Sequence, residues 1–221
     1  VNLREGGGTG YVAAAFADTY VNVGPADNTV HGDVAHAGLY MQTEGSKPAK
    51  MALLAVKDLF TVLPKFSGGS EIQIQAADLH LFGCAASDGQ TVYVNRLRSD
   101  WLGSPGGSNE GDVSGVYAEV SELTQWRGGV LSSKDWVGSV TASAAFQQGP
   151  DAETVVNVTG LVSAMYRAGR NYGFVLRCGE GYAVARGSED DMRPTLGITY
   201  TYGPPVEEYN LTVNSGTGGG M

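Results

Sequence analysis

Residues Val155 to Cys178, VVNVTGLVSAMYRAGRNYGFVLRC, constrain the fold more than any other stretch. An apolar run with β character, Val155-Val156-Asn157-Val158, comes first. Thr159 follows, and its hydroxyl can accept a bond from an orphan N–H of a helical first turn, so it reads as an N-cap. Leu161, Val162, Met165 and Tyr166 recur on one face at helical spacing. Gly169 stands where a left-handed C-terminal cap is needed. Tyr172, Phe174, Val175 and Leu176 then return the chain to strand chemistry and lead into a cysteine. The stretch predicts one short helix near 160–168 between two strands.

Elsewhere the chain reads as β. Tyr11 to Val23 is strand material rich in Tyr and Val. Leu39 to Met41 and Met51 to Val56 read as strands on either side of a Lys/Pro/Ser connection. Ile72 and Ile74 alternate with Gln73 and Gln75, the period of a half-buried strand, and Ala76 to Phe82 continues it. Asp88-Gly89 is a hairpin signal before the alternating run Thr91 to Leu97. Val116 to Val120, Val137 to Phe146 and Pro194 to Tyr202 supply further strands, and residues 103–115 form a Gly/Ser/Asn-rich loop. The expected fold is all-β: a jelly-roll-like, two-sheet antiparallel β-sandwich with one helix.

Hydrophobic residues make up 42% of the 221-residue chain, enough for a substantial core. A net charge of −9 with no basic run excludes a nucleic-acid partner, which needs clustered Lys and Arg. No apolar run is long enough to span a bilayer as a helix. Cys84 and Cys178 each end an apolar strand-like run. If those strands are neighbours a disulfide joins them, stabilising by roughly 4–5 kcal/mol through loop closure. The alternative is two buried thiols in a reducing compartment.

Gly203-Pro204-Pro205 interrupts the pattern, so residues 1–203 are expected to form one domain, 204–208 a linker, and 209–221 a further β segment. Several motifs recur in a known order: GTGYVAAAFADTYVNV at the start, LLAVKDLFTVLP, and IQIQAADLHLF. Three tryptophan motifs follow, Asp100-Trp101, Thr124-Gln125-Trp126 and Trp136-Val137-Gly138. VVNVTGLVSAMY, NYGFVLR and Ser188-Glu189 with Arg193-Pro194-Thr195-Leu196 complete the series. In that order and spacing, residues 1–202 resemble the DNRLRE domain, an extracellular β-sandwich related to disaggregatase-type modules, some of whose members are carbohydrate-binding modules. The resemblance implies a secreted or cell-surface location. It also implies that Trp101, Trp126 and Trp136 are framework in the core. The segment Tyr209-Asn210-Leu211-Thr212-Val213-Asn214 resembles the first strand of small repeats in bacterial surface proteins, which implies a longer parent polypeptide.

Candidate sites are few. Tryptophans and tyrosines can stack on sugar rings, which singles out Trp101, Tyr40, Tyr93 and Tyr117, with Tyr11 as a further surface aromatic. Loop carboxylates at Asp18, Asp27, Asp33 and Glu189 to Asp191, Asp190 among them, are candidate calcium ligands through oxygen. His31, Asp33 and His36 have metal-like spacing without a fourth ligand. No nucleophile elbow, Walker loop or dinucleotide fingerprint occurs. Glu119 with Glu122, or Glu189 with Asp191, are the acidic pairs a glycosidase reading would require. The chain is expected not to be an enzyme. Sequons occur at Asn157 and Asn210.

Two functions fit. One is a non-catalytic module that binds polysaccharide or mediates surface adhesion. The other is a structural subunit of a filament or surface layer, built from copies of itself by strand exchange, with Tyr209, Leu211 and Val213 in the exchanged strand.

Overall fold

The structure, a computed structural model, describes residues 1–23, 29, 38–63, 70–102, 113–119, 121–127, 129–188 and 191–205. In chain order the elements begin with β1 (Asn2–Glu5), β2 (Val12–Ala14), β3 (Phe16–Asn22), β4 (Leu39–Glu44) and β5 (Lys47–Val56). Next come α1 (Leu59–Val62), β6 (Ser70–Ala86), β7 (Thr91–Arg96), β8 (Tyr117–Glu119) and β9 (Thr124–Gln125). The last are β10 (Ala142–Ala145), β11 (Glu153–Asn157), α2 (Thr159–Ala168), β12 (Phe174–Cys178), β13 (Gly181–Ala185) and β14 (Thr195–Pro205). The fold is all-β, with one large mixed sheet and a small β8–β9 sheet.

The large sheet runs β10-β7-β12-β5-β4-β13-β6-β14-β1-β2, with β3 beside β5 and β11 beside β6. Pairings are antiparallel except for β1 and β2, which run parallel with Leu3 opposite Val12. The β4–β5 hairpin joins the two halves of this path. Pairing continues across the expected Lys/Pro/Ser connection, with Glu44 opposite Lys47, so that stretch is strand rather than loop.

β6 explains its own sequence pattern. Ile72 is buried, and so are Ala77, Leu79 and Leu81, although these positions differ in parity. An irregularity in the β14 pairing, where Thr199 faces Ala76 and Tyr200 faces Ile74, absorbs the extra residue. Without it, the period of two would turn one set of apolar side chains outward.

The main buried cluster draws on both halves of the sheet. Leu54, Val92, Val94, Phe174 and Leu176 come from one half, and Leu3, Met41, Leu79, Leu81, Leu196 and Ile198 from the other. α2 adds Leu161, Val162 and Met165, the helical face expected from the sequence. Gly169 is its left-handed cap, with φ of 59°. The N-cap differs from expectation: it is Val158, and no side chain caps the first turn. The Thr159 hydroxyl instead accepts the Ala77 N–H at 2.9 Å, fastening the helix start to β6.

A second cluster covers the other face of β3, β5 and β12. Ala17, Val21, Met51, Leu53, Ala55 and Val175 pack there under Trp101, Trp126, Leu131 and Trp136. β5 is therefore buried on both faces, which is why Met51 to Val56 is an unbroken apolar run. The tryptophans are framework, as the resemblance implied: Trp101 Nε1 donates to the Tyr172 carbonyl at 2.9 Å and Trp126 Nε1 to the Ser114 carbonyl at 2.8 Å. Asp135, fully buried beneath this cover, accepts the Arg127 N–H at 2.8 Å and the Ser132 N–H at 3.0 Å.

Three further expectations change. Leu59–Val62 is a helical turn, so the chain has a second helix. The Asp88-Gly89 turn does not make a hairpin, because β6 pairs with β11, β13 and β14 while β7 pairs with β10 and β12. That turn carries the chain from one half of the sheet to the other. Residues 137–141 are not strand: the Asn95 amide donates to the Val137 and Val140 carbonyls at 3.1 and 3.0 Å, holding them against β7.

Cys84 and Cys178 are not joined in a disulfide. Cys84 lies in β6 and Cys178 ends β12, and β5, β4 and β13 separate those strands in the sheet. Burial pushes the Cys178 thiol up from its ordinary pKa, with Thr43 hydrogen bonding acting the other way. Its stabilising effect is thus present in full below the unfolded thiol pKa of about 8.5 and is lost as pH climbs through the raised folded value. Stability in denaturant should be unchanged by reductant, and Cys178→Ala should flatten the alkaline limb of the stability–pH curve. A loss near the ~4–5 kcal/mol of a long-loop disulfide on reduction would contradict the thiol assignment.

Gly173, just before β12, has φ of +74°, and a Cβ there would sit 2.5 Å from the Leu54 carbonyl oxygen and 2.6 Å from Ala55 Cβ. Gly173→Ala combines backbone strain with overpacking and should cost about 2–5 kcal/mol by chemical denaturation. Gly138→Ala, where a Cβ meets nothing within 4 Å, should be near neutral.

Candidate functional site

The outward face of β1, β14, β6 and β11 carries a polar cleft. Inward residues on these strands are apolar: Leu3, Leu196, Leu79 and Val156 are all buried. Their neighbours must therefore point the other way. Register aligns them in rows: Arg4 opposite Thr195, Thr195 opposite His80, and His80 opposite Val155. One step along, Phe82 faces Glu153. A second row, Asn2, Gly197, Asp78 and Asn157, lies on the same face.

A cleft of about 280 Å³ opens over these rows, lined by Arg4, Tyr11, Phe82, Glu153, Met192 and Arg193, with Asp191 and Thr195 completing its walls. The glycine run after Glu5 links Arg4 of β1 to Tyr11, two of the lining residues. Gly6, Gly7 and Gly8 have φ of 67°, 73° and 137°, conformations open to glycine that let a six-residue link join two parallel strands. Such pairs ordinarily need a longer crossover. The Tyr11 N–H donates back to the Gly8 carbonyl at 3.0 Å, folding the ring towards Arg4.

The guanidinium of Arg4 lies 5.4 Å from the Tyr11 ring centroid and donates to the Asp191 carbonyl at 2.6 Å. Arg193 donates to the Glu5 carbonyl at 3.1 Å. These bonds to backbone carbonyls hold the two guanidinium groups in place. Across the cleft, His80 Nδ1 and Glu153 Oε1 are 2.7 Å apart. The site thus offers cations, a carboxylate, a hydroxyl and the apolar surfaces of Phe82, Met192 and Tyr11 in one small concavity. That is the composition of a site for a polar ligand with apolar patches.

The residues singled out from sequence are dispersed. Trp101 is 1% exposed and sits in the second core, so its ring offers no face to a sugar. Tyr40, Tyr93 and Tyr117 belong to β4, β7 and β8, which do not pair with one another. Tyr40 packs on Tyr20 with centroids 4.9 Å apart, and Lys50 Nζ lies 5.5 Å from each ring. Tyr93 and Trp136 flank the Arg177 guanidinium at 5.7 and 5.0 Å. Burial lowers the Arg177 pKa, with Tyr93 acting the other way, and its Nη2 donates to Asn95 Oδ1 at 2.8 Å. This is a fastening of β12 to the tryptophan cover.

Asp18 is 5% exposed and accepts the Ser188 N–H at 2.9 Å, the role of a buried acceptor rather than an open calcium ligand. Asp27, Asp33, Glu189 and Asp190, the His31–His36 loop, and Tyr209, Leu211 and Val213 lie outside the described residues. Among the described residues no three His, Cys, Asp or Glu side chains gather as a metal site. Glu119 is half-buried in β8 and Glu122 is exposed in the turn that follows it. Asn157 of the first sequon is exposed and donates to Asp78 Oδ1 at 3.2 Å, while Thr159 is held by Ala77.

Arg4, Phe82, Glu153 and Met192 carried no signal in sequence. Tyr11 and Arg193 were noted separately, one in the opening motif and one in the closing motif. The β1–β14 pairing brings the opening and closing motifs together. The chain matches no family model and no curated protein.

Proposed function

We propose that the protein is a non-catalytic, extracellular carbohydrate-binding module whose ligand lies in the Arg4–Tyr11–Arg193 cleft. The observation that carries this reading is the convergence of Arg4, Glu153, Asp191, Arg193 and Thr195 around the apolar surfaces of Tyr11, Phe82 and Met192. A sugar ring presents C–H faces and a rim of hydroxyls. Phe82 and Met192 suit the first, and the guanidinium and carboxylate groups suit the second through charge-assisted bonds. Support also comes from the ordered motifs that resemble the DNRLRE domain. The matching fold is a jelly-roll-like sandwich whose two sheets share β6, a reading supported by a core drawn from both halves. A secreted or cell-surface location follows from the same resemblance.

Binding to a panel of neutral and uronic-acid polysaccharides, followed by titration calorimetry on the best, tests the proposal. Losing a hydrogen bond from a charged group costs about 1.5–3 kcal/mol, so Arg4→Ala should weaken binding by roughly 10- to 100-fold while the fold is kept. Absence of binding across the whole panel, or unchanged affinity in Arg4→Ala, would sink the assignment.

A further inference from the structure

β6 and β14 run on together beyond the main core. Along this extension Tyr200 faces Ile74 and Tyr202 faces Ile72. Tyr200 and Tyr202 sit on the same side of β14 as the buried Leu196 and Ile198, so they continue the inward face past the point where the other half of the sheet covers it. Tyr202 is 63% exposed, the most exposed aromatic among the described residues, and its ring meets that of Tyr200 edge-on at 6.0 Å. α2 runs alongside. Between them lies a groove of about 270 Å³ lined by Ile72, Gln73, Ile74, Ser163, Tyr166 and Arg167. Phe60 supports Tyr166 from behind, with centroids 6.2 Å apart.

We infer that this groove is a second sugar subsite, taking one pyranose ring against Ile74 and Tyr166. The floor is apolar, as the C–H face of a pyranose requires. The walls carry a hydroxyl and a guanidinium at Ser163 and Arg167, as its hydroxyl rim requires. A helix or peptide partner would bury a continuous apolar stripe, whereas half of this lining is polar. Tyrosine adds a flat, rigid contact surface that costs little conformational entropy on binding. The inference rests on the carbohydrate reading of the protein but uses none of the residues of the Arg4 cleft.

The geometry makes the two sites separable. Phe82 lies eight residues along β6 from Ile74, about 26 Å at roughly 3.3 Å per residue, and the two sites open on opposite faces of the strand. A disaccharide or trisaccharide cannot span both. A long polysaccharide that wraps the domain can engage both at once, gaining affinity through effective concentration.

Calorimetry with a trisaccharide cut from the best polysaccharide reads the stoichiometry directly. Two ligands should bind each wild-type chain. Arg167→Ala should leave one at full affinity, in the Arg4 cleft, and Arg4→Ala should leave the other. Arg167→Ala, a change on the exposed side of α2, should weaken the groove site by at least tenfold without altering the melting transition. Loss of tight polymer binding in either single variant completes the pattern. One ligand per chain, abolished by Arg4→Ala and untouched by Arg167→Ala, would overturn the second subsite and leave the first reading standing. Binding abolished by Arg167→Ala and untouched by Arg4→Ala would keep the groove and overturn the cleft. No binding by the wild-type chain would overturn both.

Discussion

The pairing of β6 holds the rest of the structure in place. Between Asp78 and His80 both of its edges are occupied at once, by β14 on one side and β11 on the other. From Gly83 onward β13 takes over the pairing, and β13 leads through β4 to β5. One strand thereby links β14, the helix-bearing segment and the half of the sheet that carries the tryptophan cover. Its inward side chains, Ile72, Ala77, Leu79 and Leu81, anchor the main core. Its outward ones, His80 and Phe82, anchor the polar face. Because side chains alternate, the same backbone has to serve both, and the irregularity near Ile74 keeps them in phase.

Local chemistry was readable in the sequence wherever it was decided locally. The 159–168 helix is an example: the apolar positions 161, 162 and 165 and the glycine at 169 needed no partner to be identified. Its N-terminus was misread because the Thr159 hydroxyl had a tertiary partner, the Ala77 N–H, which no local pattern reveals. The Asp88-Gly89 turn failed for a related reason. The dipeptide does specify a turn, but whether the flanking strands pair is decided by what else competes for their edges, and β12 and β14 won. The cysteines show the same limit. Each ends an apolar run in the sequence, but strand neighbours in this sheet are set by crossovers, not by sequence resemblance.

The polar cleft was unreadable for a different reason. Its residues come from positions 4, 11, 82, 153 and 191–195, and none of these segments is unusual alone. Arg4 lies in a short opening strand, Met192 in a turn, and Glu153 at the head of an alternating strand. The register of four strands makes them neighbours. Aromatic residues, which look like the natural sugar platforms, turned out to serve mostly as fastenings: Trp101 and Trp126 through carbonyl bonds, Trp136 and Tyr93 around Arg177, and Tyr40 against Tyr20 and Lys50. In this chain an aromatic residue is more often a cover for a sheet than a surface for a ligand.

The central claim is that ligand recognition belongs to the outward face of β1, β14, β6 and β11, where framework strands present Arg4, His80, Phe82, Glu153 and Thr195 in register. The most direct test is backbone and side-chain NMR of the labelled protein titrated with an oligosaccharide from a polysaccharide it retains. Saturable shifts at Arg4, Tyr11, Phe82, Glu153, Met192 and Arg193, with the tryptophan indole signals unmoved, are the predicted result. Shifts centred instead on Tyr40, Tyr93 or the Trp101 indole, with the cleft silent, would contradict it.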